Sequence, residues 1–150
     1  MTYPGQISAP MTAAVAASAP GLFTLGSTGQ GQAAAVNQDG FINTSSVPVP
    51  AGSVISLYAT GEGQTSPVGF DGKPATAPLP TPIPPVNVTI GGVTIHDLQY
   101  AGGAPGEVAG LLQINVQIPV GITAGSAVPV LIRVGSAPSQ AGVTIAVSAN

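Results

Sequence analysis

The sequence predicts an all-β fold, an antiparallel β-sandwich of about eight to ten strands. Three observations predict it. Apolar and polar residues alternate over several short runs, as they do in strands with one buried face. Glycine and proline (21 and 16 of 150 residues) separate these runs as turn residues do. The Ala-rich stretch from Thr12 to Ala19 is the one competitor for a helix, and Pro10 and Pro20 bracket it, which favours a strand there too.

The longest consistent pattern runs from Val86 to Pro119. Alternation over residues 86–90 is followed by Gly91-Gly92, which predicts a two-residue hairpin turn because both central positions of such a turn need positive φ. The alternation changes phase after Ile95, which predicts a β-bulge near His96-Asp97. A clean alternation returns over residues 112–118 and predicts a strand with one solvated face.

The rest of the chain gives shorter elements. In order, these are a short apolar strand over residues 22–25, a turn at 37–40 with Gly40 left-handed, a strong strand over 53–60, and strands over 128–134 and 143–147. Prolines between residues 74 and 85 predict a rigid connector that crosses between sheets, in preference to a proline-rich ligand for an aromatic groove. The predicted core is Phe23, Ile55, Leu57, Val88, Ile90, Ile114, Val116, Val130, Ile132, Val143 and Ile145.

The N-terminal segment repeats the pattern of the last strand, since residues 8–17 resemble residues 140–149. One sandwich needs one such strand. We therefore divide the chain into an N-terminal strand segment (residues 1–18) and a sandwich domain (residues 19–150). The segment is interpreted as the tail of a preceding domain or as an extra edge strand, with chance similarity as the third alternative.

Charge is scarce: the chain has two basic residues, five acidic residues and one histidine. Two cations cannot neutralise the several phosphates that nucleic-acid binding requires, and anionic lipid headgroups are disfavoured for the same reason. No apolar run reaches the ~18–20 residues of a membrane helix. We expect no nucleic-acid partner and no membrane insertion. Low like-charge repulsion makes close packing against other copies of the chain inexpensive.

The pattern of reactive residues predicts no enzyme. His96 is the one imidazole, no G-x-S-x-G sequence occurs, and no catalytic residue or cofactor is expected. Metal binding is not expected either, because only Glu62 and Asp71 among the acidic residues share a loop. Lys73 follows a turn and should be exposed, which disfavours an isopeptide crosslink. The sequences Asn43-Thr44-Ser45 and Asn87-Val88-Thr89 match the glycosylation pattern, but such short matches often arise by chance.

Several segments together resemble a known family: SAPGLFTLGSTGQGQAAAVNQDG, GSVISLYATGEGQT, VNVTIGGV, YAGGAPGEVAGLLQINVQIP and GSAVPVLIRVGSAPSQAGVTIAV. They are similar to the uncharacterised Ig-like C-terminal domain of large secreted proteins from soil acidobacteria, over roughly Ala19 to Val147. The VTIGGV hairpin is shared with other Ig-like modules of the IPT/TIG type. The resemblance implies an Ig-like sandwich attached to extracellular or surface proteins, and it supplies no catalytic residue.

The expected function is a non-enzymatic structural or interaction module of an exported bacterial surface or extracellular protein. Its partners would be other protein domains, including copies of itself, through a strand-pairing segment that contains Ser8, Met11, Ala13, Val15 and Ala17. Folding back onto the same sandwich is favoured over pairing with a neighbour, because intramolecular pairing has a high effective concentration.

The alternative function is a carbohydrate-binding module. Tyr58 and Tyr100 are its candidate ligand-facing aromatics, although a role capping the core with an exposed hydroxyl is favoured for both.

Overall fold

The computed structural model describes the backbone of residues 2–3, 6–7, 9–70 and 72–149, and the side chains of residues 9–70 and 72–149. All regular elements in these ranges are β-strands, as the sequence predicts. The described part of the chain therefore has no helix that could cross a membrane.

The strands are short and more numerous than predicted. Six of the sixteen are longer than three residues, because the chain often passes from one sheet to the other and breaks its strands into two-residue pieces. The bounds are β1 (Thr2–Tyr3), β2 (Gln6–Ile7), β3 (Gly21–Leu22), β4 (Gly31–Gln32), β5 (Ala35–Asn37), β6 (Val49–Pro50), β7 (Val54–Thr60), β8 (Thr65–Ser66), β9 (Thr81–Pro82), β10 (Val86–Ile90), β11 (Val93–Ile95), β12 (Tyr100–Gly103), β13 (Leu112–Gln117), β14 (Gly125–Val134), β15 (Ala137–Pro138) and β16 (Val143–Ser148).

Two main sheets carry the fold. The five-stranded sheet has the order β12-β13-β7-β3, with β5 also on β7, and the seven-stranded sheet has the order β11-β10-β14-β16-β4, with β15 on β14 and β6 on β16. The pairs β1-β2 and β8-β9 are separate two-stranded sheets. The β10–β11 hairpin turns at Gly91 and Gly92 with φ of 56° and 86°, as predicted.

The inner faces of the two main sheets form one hydrophobic cluster, which gives a sandwich-like architecture. Ten of the eleven predicted core residues are buried in this cluster, and Phe23 is the error, being 44% exposed. Leu22 pairs with Ala59, whose side chain faces the core, so the next residue along the strand faces outward. The apolar run Leu22-Phe23-Thr24-Leu25 contained no alternation from which this phase could be inferred.

The β-bulge predicted near His96-Asp97 is also wrong. Residues 96–99 carry the chain from β11 in the seven-stranded sheet to β12 in the five-stranded sheet. The phase change in the sequence therefore marks a change of sheet, which reverses the direction of the buried face.

The strand predicted within residues 11–18 does not form. Residues 9–20 contain no strand, and the side chains from residue 9 to Ala17 are exposed. The chain docks only at its end, where Ser18 Oγ donates to Val134 O (2.8 Å) and Ala19 N donates to Gly61 O (2.9 Å). β7 ends at Thr60, and Gly61 turns away with a φ of 77°, so no ladder continues beside residues 9–17. Ser8, the first residue of the proposed pairing segment, lies outside the described residues.

The outer edge of β16 is closed by a side chain between two short strands. β4 pairs with Val143–Thr144 and β6 pairs with Val147–Ser148, and both pairings are parallel, so the sandwich is not antiparallel throughout as predicted. Between them, Asn43 Nδ2 donates to Ala146 O (2.9 Å) and Ala146 N donates to Asn43 Oδ1 (2.8 Å), which reproduces the bonds of a strand. Asn43 has 0% of its surface exposed, so the folded domain does not present it for glycosylation.

Candidate interaction site

One end of the sandwich is built from two connected loops. Residues 61–85 join β7 to β10, and residues 104–111 join β12 to β13; we call these two segments together the loop end. The first segment links the two main sheets, which confirms the prediction of a connector between them. It is held against the second by Ala75 N donating to Glu107 O (2.7 Å), and against β12 by Gly103 N donating to Pro80 O (2.7 Å).

The loop end exposes large apolar side chains. Val68, Phe70, Ile83 and Val108 are between 62% and 74% exposed. Single exposed apolar residues are common on protein surfaces, whereas a group of them beside cavities is typical of an interaction surface.

Four cavities are lined in part by the loop end, one of which, about 360 Å³, lies between residues 82–86 and residues 96–101. The other three lie closer to Glu62 and Val68. The first, about 410 Å³, is lined by Glu62, Gln64, Val68, Ile83 and Ala109 among others. The second, about 310 Å³, shares Val68 and Ala109 with the first and is otherwise mostly apolar. The third, about 520 Å³, lies between residues 15–17 and Gly63, Gln64, Ile83 and Pro84. Residues 9–17, the exposed part of the N-terminal segment, therefore end beside the first cavity.

Glu62 is the buried acid of the loop end. Its side chain is 7% exposed, and Oε2 has no hydrogen-bond partner among the described residues. Burial raises the pKa of Glu62, because desolvation penalises the charged carboxylate. Burial also raises the pKa of Tyr100, and the negative charge of Glu62 adds to that rise. An unpaired buried carboxylate is costly and marks a position where a ligand group would be favourable.

The polar atoms around Glu62 are few. The hydroxyl of Thr65 is already engaged, because it donates to Pro67 O and accepts from Gly69 N. No cluster of three or more histidine, cysteine, aspartate or glutamate side chains occurs in the part of the chain that the structure describes. Asp71 lies outside the described residues, so its pairing with Glu62 around calcium is not tested.

The two candidate tyrosines lie on the outer face of the five-stranded sheet. Tyr58 is opposite Gln113 and Tyr100 is opposite Asn115, and both rings are half-buried and outside the core cluster. The Tyr100 hydroxyl donates to Gly103 O (2.6 Å). Phe23, which the sequence placed in the core, lies beside Tyr58 on this face, since Phe23 N donates to Tyr58 O (3.0 Å). The face therefore carries three aromatic rings, one of which the sequence did not indicate.

His96 and Lys73, the remaining residues that the sequence analysis considered for a functional role, are at the surface. His96 is exposed where the chain crosses between sheets. Lys73 is exposed, as predicted, and its Nζ lies 5.6 Å from the centre of the Phe70 ring. The structure does not bring these two residues to Glu62 as members of one cluster.

Compared with models of protein families, with curated proteins and with solved structures, the chain has no significant match.

Proposed function

We propose that this chain is a non-enzymatic, Ig-like structural and interaction module of an exported bacterial surface or extracellular protein. In this proposal the module pairs with a second copy, or with a neighbouring domain of the same kind, through the N-terminal segment. Its export and its family rest on the sequence resemblance over residues 19–147.

The strand order supports the Ig-like part of the proposal. In Ig domains one sheet has the strand order A-B-E-D and the other contains C, F and G. Here β3, β7, β13 and β12 occupy the positions of A, B, E and D, while β10, β14 and β16 occupy those of C, F and G. β11 extends the second sheet beside β10, as the additional C′ strand does in variable-type domains.

The observation that carries the interaction proposal is the exposure of the N-terminal segment. Met11 is 89% and Val15 is 95% exposed, and their alternation with Ala13 and Ala17 has no sheet beneath it. An apolar alternation gains stability only when it lies in a sheet, so the segment has the pattern of a strand without its partner.

The matching edge is β11. It is the outermost strand of the seven-stranded sheet, with β10 on one side and no strand on the other among the described residues. In a two-residue hairpin Ile90 and Val93 exchange both of their hydrogen bonds, so the N–H of Thr94 points to the free edge. No lysine guards this edge against pairing.

Sedimentation velocity over a range of protein concentrations tests the pairing. We expect wild-type protein to associate, and Val15→Lys to lose association because the charge falls on the apolar face of the pairing segment. Ala16→Lys adds the same charge on the opposite face and is the matched control. Thr94→Pro removes the outward N–H of the accepting edge and keeps the backbone hydrogen bonds between β10 and β11, and should also abolish association. It also removes the hydrogen bond between the hydroxyls of Thr94 and Thr89 (3.1 Å). A wild-type protein that is monomeric at all concentrations contradicts the proposal.

A second candidate function is carbohydrate binding, favoured by the three rings on the outer face of the five-stranded sheet. Sugar rings stack on exposed aromatic faces, and the neighbouring amides of Gln113 and Asn115 offer hydrogen bonds to hydroxyl groups. A glycan array probed with wild-type protein, Tyr58→Ala and Phe41→Ala tests it; Phe41 is an exposed ring (64%) after the turn that follows β5. Binding that is lost in Tyr58→Ala and retained in Phe41→Ala supports the sugar site; no glycan above background removes this candidate.

A further inference from the structure

We propose that the cavity around Glu62 binds an aliphatic primary ammonium group, of the kind that a lysine side chain of a partner protein carries. This inference goes beyond strand pairing, because it concerns a different surface and a different kind of contact.

The first step concerns charge. Glu62 is the one ionisable side chain among the residues that line this cavity. A carboxylate with a buried, unpartnered oxygen is stabilised most by a ligand that brings a positive charge and hydrogen-bond donors. Neither cation of the chain supplies them, since Lys73 lies against Phe70 in the adjacent cavity and Arg133 Nη1 donates to Ser136 O (2.9 Å).

The second step concerns shape and polarity. The volume of about 410 Å³ lies in the range of small-ligand sites. The walls formed by Val68, Ile83 and Ala109 are aliphatic. A ligand with one cationic end and an aliphatic stem matches this arrangement, because lysine-like stems pack along apolar surface while the ammonium meets the acid.

The third step separates this ligand from a metal ion. Calcium takes about six to eight oxygen ligands. Among side chains, the lining residues offer the carboxylate of Glu62 and the amide of Gln64, while the hydroxyl of Thr65 is already hydrogen-bonded to its own loop. Calcium would therefore depend on backbone carbonyls and water for most of its ligands. An ammonium donates about three hydrogen bonds, for which the two oxygens of the Glu62 carboxylate and the amide oxygen of Gln64 are candidate acceptors.

The test is an NMR titration of ¹⁵N-labelled full-length protein at pH 8, followed at the amides of Gly63, Gly69 and Gly110. The probes are n-butylammonium chloride, n-butanol as its neutral counterpart, and calcium chloride. We expect saturable shifts with n-butylammonium alone, and affinity about tenfold weaker or worse in Glu62→Gln. Glu107→Gln removes an exposed acid from the adjacent turn and should bind as the wild type does.

A second pair of probes distinguishes the source of the ammonium. N-acetyl-lysine methylamide and its Nε-acetylated form differ only in the charge of the side chain. Binding of the first form alone supports a protein side chain as the ligand, whereas binding of n-butylammonium without either supports a free amine. Equal shifts with n-butanol, shifts with calcium alone, or unchanged binding in Glu62→Gln would overturn the proposal. Sedimentation of Glu62→Gln should match that of wild type, so failure here is distinguishable from failure of strand pairing.

Discussion

The edge of β16 and the loop end each bury a polar side chain, with opposite outcomes. Asn43 is fully buried and bonded to Ala146, Asn37 and Gln32. Glu62 is nearly as buried, yet one of its carboxylate oxygens has no partner among the described residues. A polar group that is satisfied from within stabilises the fold, whereas one left unpaired costs stability until a ligand supplies the bond.

The surroundings of the two side chains differ in the same way. Around Asn43, the short strands β4 and β6 leave a gap on β16 that one amide fills. Around Glu62, the loops expose apolar side chains and enclose cavities. The first region belongs to the scaffold, and the second is the region that we propose contacts other molecules.

The largest expected effect comes from breaking the hydrogen-bond network around Asn43. Asn43→Ala leaves the N–H and C=O of Ala146 and Oδ1 of Asn37 without their partner. Because each unpaired buried group costs about 1–3 kcal/mol, we expect the free energy of unfolding to fall by about 3–5 kcal/mol. Urea denaturation measures it. Asn87→Ala, on the outer face of the seven-stranded sheet, is the control and should change stability by less than about 0.5 kcal/mol. Similar losses in the two variants would contradict the structural role of Asn43.

An intermediate loss of stability is expected where residues 17–19 pack against the loop end. At Gly63 (φ of 76°) an added Cβ would lie 2.1 Å from Ala17 O. At Gly92 (φ of 86°) it would meet nothing within 4 Å. Both alanine variants bear the backbone cost of about 1–2 kcal/mol for a left-handed residue, and only Gly63→Ala adds the clash.

We therefore expect Gly63→Ala to lose more stability than Gly92→Ala, and to expose the amide of Ala19, which donates to Gly61 O, to faster hydrogen exchange. Equal stability losses with unchanged exchange at Ala19 would show that residues 17–19 do not pack as described.

The smallest expected effect is a gain in stability rather than a loss, and it depends on pH. The pKa of Glu62 is raised above its ordinary 4.5, so the folded state binds the proton more tightly than the unfolded state does. The protonated Glu62 carboxyl therefore makes its full contribution to stability below about pH 4.5, and this contribution is lost as pH rises through the pKa of the folded state. Glu62→Gln removes that loss, and its stability relative to wild type should increase from pH 4 to pH 8.

Urea denaturation across this pH range checks the prediction, with Glu107→Gln as the exposed control. Tyr100 faces the same charge, but it titrates in the alkaline range and does not contribute below pH 8. A constant difference between Glu62→Gln and wild type over the range would contradict the burial of a charged carboxylate.

Much of the fold was predictable because alternation and turn chemistry are local. The strand over residues 54–60, the hairpin at Gly91-Gly92 and the buried faces of β13 and β14 follow from residues close in sequence. Phe23 was misplaced because a continuous apolar run carries no phase. The phase change after Ile95 was visible, but a sequence does not say whether it marks a bulge or a change of sheet.

The candidate site was less predictable. Gly61-Glu62-Gly63 has the composition of an exposed turn. Nothing local indicates that residues 17–19 pack against it, or that the loop over residues 104–111 lines the same cavity. The signal that could have found it is a glutamate between two glycines, in a connector whose only other charged residues are Asp71 and Lys73. The role of Asn43 was also hidden, because it depends on Ala146, which is 103 residues away in sequence.

We propose that the N-terminal segment is a strand that pairs with another molecule, whereas the edge of β16 is already closed by β4, Asn43 and β6. The decisive experiment is hydrogen exchange measured by NMR at low and high protein concentration. We predict that the amides of residues 11–17 become protected as concentration rises, and that the amide of Ala146, bonded to Asn43, is equally protected throughout. Residues 11–17 that exchange freely at every concentration would contradict the claim.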